Sequence, residues 1–123
     1  AAVTAAGYTY TVSTAEDGAP RLEVDTAGSK AQEILVEFYE CNPKGACEDI
    51  MIWSWYSVPG LTVDKINSWN QNGRWTRAYI DSDKDPRLEM DINGTGGIGT
   101  DALHILVNTF FGMDEEFATN LGL

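Results

Sequence analysis

The two cysteines of the chain, Cys41 and Cys47, lie on either side of the sequence Asn-Pro-Lys-Gly-Ala. Alternating apolar residues precede and follow them in QEILVEFYEC (32–41) and CEDIMIWSWYS (47–57), a pattern that predicts two β-strands joined by a turn. If Cys41 is placed opposite Cys47, the apolar residues of both strands share one face, and a slip of one residue would separate them. The pairs in this register are Phe38 with Ile50, Val36 with Ile52, and Ile34 with Ser54.

The same register decides which chemistry is expected of the cysteines. Opposed residues of antiparallel strands have Cα atoms about 5.5 Å apart or less, as a disulfide requires. The alternatives are free thiols, or a redox or metal function, but redox motifs usually read C-x-x-C, and zinc takes four ligands whereas the one histidine, His104, is distant. We therefore predict a structural disulfide that contributes about 2.4 kcal/mol to stability. Such bonds persist in oxidising compartments, so a periplasmic or secreted protein is expected.

Two further pairs of alternating segments predict two more hairpins. The first joins residues 7–14 to residues 21–26, and the second lies within residues 74–94. The expected pairs are Val12 with Leu22 and Tyr10 with Val24 in the first, and Ile80 with Leu88, Ala78 with Met90 and Thr76 with Ile92 in the second. The register of the second hairpin also brings two opposite charges together twice, which supports it. These charge pairs are Asp81 with Arg87 and Arg77 with Asp91.

Apolar residues at helical spacing predict two helices. Residues 61–73 form the first, with Thr62 as its N-cap, and residues 100–121 form a longer one capped by Thr100 or Asp101. The buried stripe of the longer helix is expected to contain Leu103, Leu106, Val107, Phe110, Phe117 and Leu121.

The order of these elements predicts the fold class. Hairpins throughout the chain indicate an antiparallel sheet of five to six strands with helices packed on one face, which is the α+β class. The length of 123 residues fits a single domain, 1–123. The opening AAVTAA is expected to be the tail of a first helix that is otherwise largely missing.

The charge of the chain limits its partners. The net charge is −11, with 19 acidic residues against 8 basic ones, so nucleic acids and anionic membrane surfaces would be repelled. No apolar run approaches the ~20 residues of a membrane helix, so no membrane insertion is expected. A basic partner or a small cation would be attracted.

Three segments of the chain, taken in order, resemble the YbjN-domain family of bacteria. They are FYECNPKGACEDIMI, INSWNQNGRWTRAYIDSDKDPRLEMDI and GGIGTDALHILVNTFFGMDEEF, and the resemblance extends over residues 7–121. It implies a fold similar to that of type III secretion chaperones, an α+β sandwich that begins with a helix. Members are labelled "putative sensory transduction regulators", and the resemblance implies no catalytic residue, cofactor or settled biochemical activity.

One face of the central hairpin is a candidate partner-binding surface. If Phe38 and Ile50 face the helices, the alternate residues of the same two strands face outward together with the cysteines. Those outward residues include two tryptophans, and clustered exposed apolar residues mark interfaces. The candidate residues are Leu35, Tyr39, Met51, Trp53 and Trp55. The alternative is that another element of the chain covers this face.

A second candidate is a polar corner where the first helix is followed by a strand. Asn67, Asn70 and Arg74 lie there near Trp69 and Trp75, and such a cluster could bind a sugar or a peptide. The alternative is that these polar groups bond the backbone and end the helix.

Other polar motifs of the chain are interpreted as structural. Asp81, Asp83 and Asp85 have calcium-loop spacing, but Pro86 stands where such a loop needs glycine, so a solvated turn and no metal site are expected. His104 is expected to be a half-buried structural histidine on the last helix.

These observations favour one function class over two others. We expect a non-enzymatic, extracytoplasmic protein-binding or chaperone-like adaptor that holds a protein partner or a second copy of itself on the outward face. A small-ligand sensor using the polar corner is the second reading, and a hydrolase acting through carboxylates is the third. No nucleophile–base pair indicates catalysis, and no cofactor is expected.

Overall fold

A computed structural model describes residues 1–123 as six strands and three helices. In chain order the elements are α1 (Ala2–Ala5), β1 (Tyr10–Thr14), β2 (Pro20–Val24), β3 (Glu33–Cys41), β4 (Cys47–Trp55), α2 (Val63–Asn72), β5 (Arg77–Ile80), β6 (Pro86–Asn93) and α3 (Thr100–Asn120). All neighbouring strands are antiparallel, in the order β1-β2-β3-β4-β6-β5. The predicted α+β class is therefore confirmed. None of the helices is both long and apolar enough to cross a membrane.

The central hairpin, β3 and β4, has the predicted register. Phe38 pairs with Ile50, and Cys41 pairs with Cys47. The Cα atoms of the two cysteines are 3.9 Å apart, and a disulfide joins their sulfur atoms. The register of β1 and β2 is also as predicted, because Val12 pairs with Leu22 and Tyr10 with Val24.

The register predicted for β5 and β6 is wrong by two residues. Ile80 pairs with Pro86 and Ala78 with Leu88, whereas the sequence interpretation set Ile80 against Leu88. The side-chain faces are unchanged, because a shift of two residues preserves the alternation of the strand. Arg77 still forms an ion pair with Asp91, now along a diagonal. The predicted pair of Asp81 with Arg87 does not form, since Asp81 belongs to the turn.

The error has a local cause, which is the turn between these strands. All three hairpins close through a three-residue loop with a left-handed residue in its third position, a common hairpin geometry. The closing bonds run from Ala15 to Ala19, from Asn42 to Ala46, and from Asp81 to Asp85, each 2.8–2.9 Å between N and O. The left-handed residues are Gly18, Gly45 and Lys84, with φ of 85°, 84° and 69°. In the third loop a lysine stands where glycine would have signalled this turn.

The core lies between one face of the sheet and the helices. It contains Ile34, Val36, Ile52, Leu88, Met90 and Ile92 from the sheet with Val107, Phe110, Phe111 and Phe117 from α3. Phe111 was not part of the predicted stripe, and Leu103 and Leu106 are half-buried at its edge. The expected cap of α3, Thr100 or Asp101, is wrong, because the N-cap is Gly99 and makes no side-chain bond. In α2, Thr62 Oγ1 accepts the N–H of Lys65 as predicted.

The expected first helix is present as a single turn, α1. Val3 of this turn is buried in the core, and Gly7 follows it with φ of 93°. Tyr8 then stacks on Phe111 with ring centroids 4.0 Å apart, so the opening segment is anchored to α3.

Candidate functional site: the outward face of the sheet

Alternate residues of four adjacent strands point away from the helices. We call this set the outward face, and none of its apolar members belongs to the core cluster or packs against it. From β3 to β5 its members are Leu35, Glu37 and Tyr39; Met51, Trp53 and Trp55; Arg87, Glu89 and Asp91; and Arg77 and Tyr79. The prediction that Trp53 and Trp55 lie on the opposite face of the sheet from Phe38 is therefore confirmed.

The centre of the outward face is a stack of arginine on tryptophan. The guanidinium carbon of Arg87 lies 3.7 Å from the ring centroid of Trp53, and Tyr79 lies 5.9 Å from it on the other side. A guanidinium over an indole is attracted by the π-electrons of the ring. The indole Nε1 of Trp53 is buried and has no acceptor within the chain. The centre of this face is thus ordered and carries one unused donor.

A buried carboxylate, Glu89, holds the arginines in place. It is only 5 % exposed, yet it lies on the outward face between β4 and β5. Tyr79 donates its hydroxyl to Oε1 at 2.7 Å, and Arg77 forms an ion pair with Oε2. Arg87 Nε lies 2.7 Å from Oε1, but its N–H does not point along that line, so the contact is an ion pair rather than a hydrogen bond. Three partners therefore compensate the burial of one charge.

The tyrosines of this face are held in their neutral form. Desolvation, followed by the hydrogen bond to Glu89, raises the pKa of Tyr79 to about 12. Desolvation and the 2.7 Å hydrogen bond to Glu37 raise the pKa of Tyr39 to about 12. For Arg77, the hydrogen bond to Asp91 is the largest of the causes that raise its pKa. The face thus presents aromatic rings and fixed cations over a wide pH range.

One of the five residues predicted for this face is not available to a partner. Leu35 is only 4 % exposed, although no helix covers it. It pairs with Trp53 on one side and Glu23 on the other, so the large side chains of its own sheet enclose it. Tyr39 is exposed, and Met51, Trp53 and Trp55 are half-buried. The accessible surface is therefore aromatic and arginine-rich rather than aliphatic.

The residues of the predicted polar corner do not form one site. Asn70 uses its side chain on the backbone of Ala78, accepting the N–H at 2.8 Å and donating to the carbonyl at 2.9 Å. Arg74 lies over the ring of Trp75, 5.0 Å from its centroid. Asn67 is exposed and lines, together with Asn70, a shallow groove of about 310 Å³ between α2 and β5, whereas Arg74 does not line it. The amide of Asn70 therefore acts as a structural group.

The remaining polar motifs are placed in local structure. Oδ1 of Asp81 accepts the N–H groups of Asp83 and Asp85 at 3.0 Å each, which holds the third hairpin turn. His104 is half-buried on α3. No group of three or more potential metal ligands occurs in the structure.

Sequence reasoning missed a buried polar cluster between β4 and α3. Oδ1 of Asp114 accepts the hydroxyl groups of Ser54 and Tyr56 at 2.5 Å each, and the residue is only 2 % exposed. Burial raises the pKa of Asp114, and the two hydrogen bonds oppose that rise. The signal was present, because Asp114 lies four residues after Phe110 and three before Phe117, within the apolar stripe of the helix.

Comparison with known proteins gives a family and a fold. The model of the YbjN family, described as "Putative bacterial sensory transduction regulator", matches residues 1–122. The chain belongs to the YbjN family. No curated protein sequence matches it. The crystal structure of YbjN from E. coli, described as a putative transcription regulator, superposes with a TM-score of 0.56 at 12 % identity, covering 98 % of this chain and 82 % of that one.

The YbjN description limits what the family alone tells about this chain. It names a regulator and no reaction, and regulators work through interaction partners. The similarity to the E. coli structure is at the level of the fold.

Proposed function

We propose that this YbjN-family protein is a non-enzymatic protein-binding or chaperone-like adaptor that works outside the cytoplasm and holds a protein partner on its outward face. The observation that carries the proposal is the ordered stack of Arg87 on Trp53 at the centre of a sheet face that no helix covers. Tryptophan, tyrosine and arginine are the residues that most often dominate binding energy at protein interfaces. All three occur together here.

The arrangement of the outward face supports binding without large rearrangement. Glu89 fixes Arg77 and Tyr79 before any partner arrives, so little side-chain entropy would be lost on association. A surface of this kind suits a partner with an apolar centre and acceptor groups around it.

The partner is proposed to be another protein rather than a second copy. Each chain carries a net charge of −11, so two copies repel each other. The same charge opposes direct contact with nucleic acid. Any regulatory role would then act through a bound protein.

The disulfide supports an extracytoplasmic location. The bond between Cys41 and Cys47 closes the turn at one end of the outward face, and both residues are accessible enough for cytosolic reductants to reach them. Disulfides in such positions persist in the periplasm or outside the cell and are rare in the cytosol.

A capture experiment with matched variants tests the proposal. Immobilised wild-type protein, Trp53→Ala and Trp55→Ala are incubated with periplasmic extract, and Ile105→Ala serves as control because Ile105 is 65 % exposed on α3, away from the outward face. We expect one protein to be retained by the wild type and the control and lost from both tryptophan variants, each first shown to be folded. Equal retention by all four proteins would refute the outward face as the binding site.

Light scattering at several concentrations decides between a partner and self-association. If the molar mass of the wild type rises with concentration and that of Trp53→Ala does not, the outward face binds a second copy of the chain instead of a partner protein. A small-ligand sensor remains the second candidate, supported only by the groove beside Asn67. A thermal-shift screen of sugars and peptides tests it, with Asn67→Ala as the matched variant.

A further inference from the structure

The two edges of the sheet differ in how their backbone groups are used. Edge strands present unpaired N–H and C=O groups, and proteins usually block them with charges, prolines, bulges or covering elements. Here β1 is one edge and β5 is the other.

The β5 edge is blocked by a side chain. The N–H and C=O of Ala78 point away from β6, and Asn70 of α2 bonds both of them at 2.8 and 2.9 Å. The amide therefore takes the place that a further strand would occupy. This explains why both polar groups of the Asn70 side chain are bonded to the backbone of Ala78.

The β1 edge has no such cover. The bonds from Asp25 to Thr9 and from Ala15 to Ala19 show that odd-numbered residues of β1 bond β2. Even-numbered residues then direct their N–H and C=O outward, and these are Tyr10, Val12 and Thr14. The strand YTVST contains no charge and no proline, and four of its five residues are exposed.

An apolar groove adjoins this open edge. It has a volume of about 170 Å³ and is lined only by apolar residues, among them Tyr10 of β1 and Leu22 of β2. Val12, on the same face of the sheet, is 67 % exposed. A strand added beside β1 would place every second side chain over Val12 and the mouth of the groove.

The charges around the open edge select the partner. Glu16 and Asp17 lie in the turn after β1, and Glu23 lies on β2 with Asp25 just after it. Arg21 is the one basic residue of this region, and it is already paired with Glu23 at 3.3 Å. Basic residues at the ends of an incoming strand would therefore be attracted.

We propose that the β1 edge is a second docking site, which takes an extended peptide segment of a partner protein as an added antiparallel or parallel strand. The segment has alternating apolar residues that cover Val12 and the groove, and lysine or arginine at its ends. The site shares no residue with the outward face. It can therefore exist whether or not the outward face binds a protein.

The test uses a synthetic peptide of alternating valine and threonine, blocked at both termini and flanked by a lysine at each end. Its binding is measured by fluorescence anisotropy with wild type and with two variants of Val12. Val12→Pro removes the outward N–H while breaking no bond to β2, and proline is tolerated on such edges. Val12→Thr keeps the N–H and the branched side chain, so it is the matched control. We expect Val12→Pro to weaken binding by about tenfold and Val12→Thr to leave it nearly unchanged.

Two further probes keep the test decisive if Val12→Pro is poorly folded. A peptide N-methylated at every valine and threonine has no N–H to donate to the carbonyls of the β1 edge in either strand direction, and it should bind the wild type about tenfold more weakly. A peptide with glutamate in place of both lysines should also bind more weakly. No binding of the lysine peptide at about 1 mM, or equal binding of the N-methylated peptide, would overturn the proposal. Unchanged peptide binding in Trp53→Ala would show that the edge is independent of the outward face, whereas loss of binding in this folded variant would refute a separate site.

Discussion

The guanidinium of Arg87 lies 3.7 Å from the ring centroid of Trp53, on the side of the sheet that faces away from all three helices. The two residues come from neighbouring strands, β6 and β4, and Glu89 beside them holds the arginine through an ion pair. The indole ring of Trp53, which would otherwise be an exposed apolar group, is thus half-buried beneath the guanidinium. This relationship makes the outward face an ordered surface rather than a loose apolar patch.

Removing the arginine should destabilise the protein and uncover the tryptophan. We expect Arg87→Ala to lower the free energy of unfolding by about 2 kcal/mol, because the stacking on Trp53 and one partner of the buried Glu89 are both lost. Urea denaturation measures the loss. Arg74→Ala is the matched control, since Arg74 lies over the exposed Trp75 and should cost less than about 0.5 kcal/mol. Equal losses of unfolding free energy in the two variants would show that the stack on Trp53 contributes no more than the exposed contact on Trp75.

The buried Asp114 should give the protein a specific pH dependence. Its pKa is raised in the folded state, so between the ordinary value of 3.8 and the raised value the folded protein binds more protons than the unfolded chain. The contribution of Asp114 to stability is therefore largest in acid and is lost as the pH rises through this window. Asp114→Asn lacks that titration. The free energy of unfolding of the wild type minus that of Asp114→Asn should therefore fall as the pH rises from about 3 to 7.

Glu116→Gln controls for the change of charge in this experiment. Glu116 is exposed on the same helix, two residues away from the buried carboxylate. Its variant should follow the wild-type pH dependence. A constant difference between wild type and Asp114→Asn at every pH would contradict a raised pKa.

The third hairpin turn should be improved by a single substitution. Lys84 adopts φ of 69°, a conformation that costs an L-residue about 1 kcal/mol and glycine almost nothing. We expect Lys84→Gly to raise the free energy of unfolding by up to about 1 kcal/mol. Gly45→Ala, at the equivalent position of the central hairpin with φ of 84°, should lower it by a similar amount. A destabilised Lys84→Gly would show that the lysine makes a contact that outweighs its backbone strain.

The disulfide should contribute measurably to stability. Reduction of the bond between Cys41 and Cys47 is expected to cost about 2.4 kcal/mol, because the unfolded chain regains the freedom of its short closed loop. Urea denaturation with and without reductant measures this cost, and the double variant Cys41→Ser with Cys47→Ser should not respond to reductant. Intact mass after alkylation tests the bond in protein from its native source. Two thiols that react before reduction would contradict both the bond and the proposed compartment.

The registers show how far sequence reasoning reaches for this fold. The pairing of Phe38 with Ile50 followed from apolar alternation and a turn that contains glycine. The third hairpin has the same loop, but Lys84 occupies the position of Gly45 and gives no signal in the sequence. The predicted register was chosen for its apolar face and supported by two opposite-charge pairs, but it lies two residues away from the observed one, and the faces of both strands were still assigned correctly.

The sequence predicts which residues of the central hairpin lie on the outward face, but not the contacts they make with other strands. Alternation alone placed Trp53 and Trp55 opposite to Phe38. It could not show that β6 lies beside β4, which brings Arg87 onto Trp53, because that pairing is not between consecutive strands. It also could not show that Leu35 is enclosed by its sheet neighbours. Strand order across the sheet is long-range information that the local pattern does not contain.

The most direct test of the outward face is photo-crosslinking in cells of the native organism. A photoreactive amino acid replaces Tyr79, which is exposed at the edge of the outward face, and in a second protein it replaces Ile105 on α3. We expect a crosslinked product of one defined mass from position 79 that is absent from position 105 and is lost when Trp53→Ala is added. Crosslinks from position 105 alone, or identical products from both positions, would contradict it.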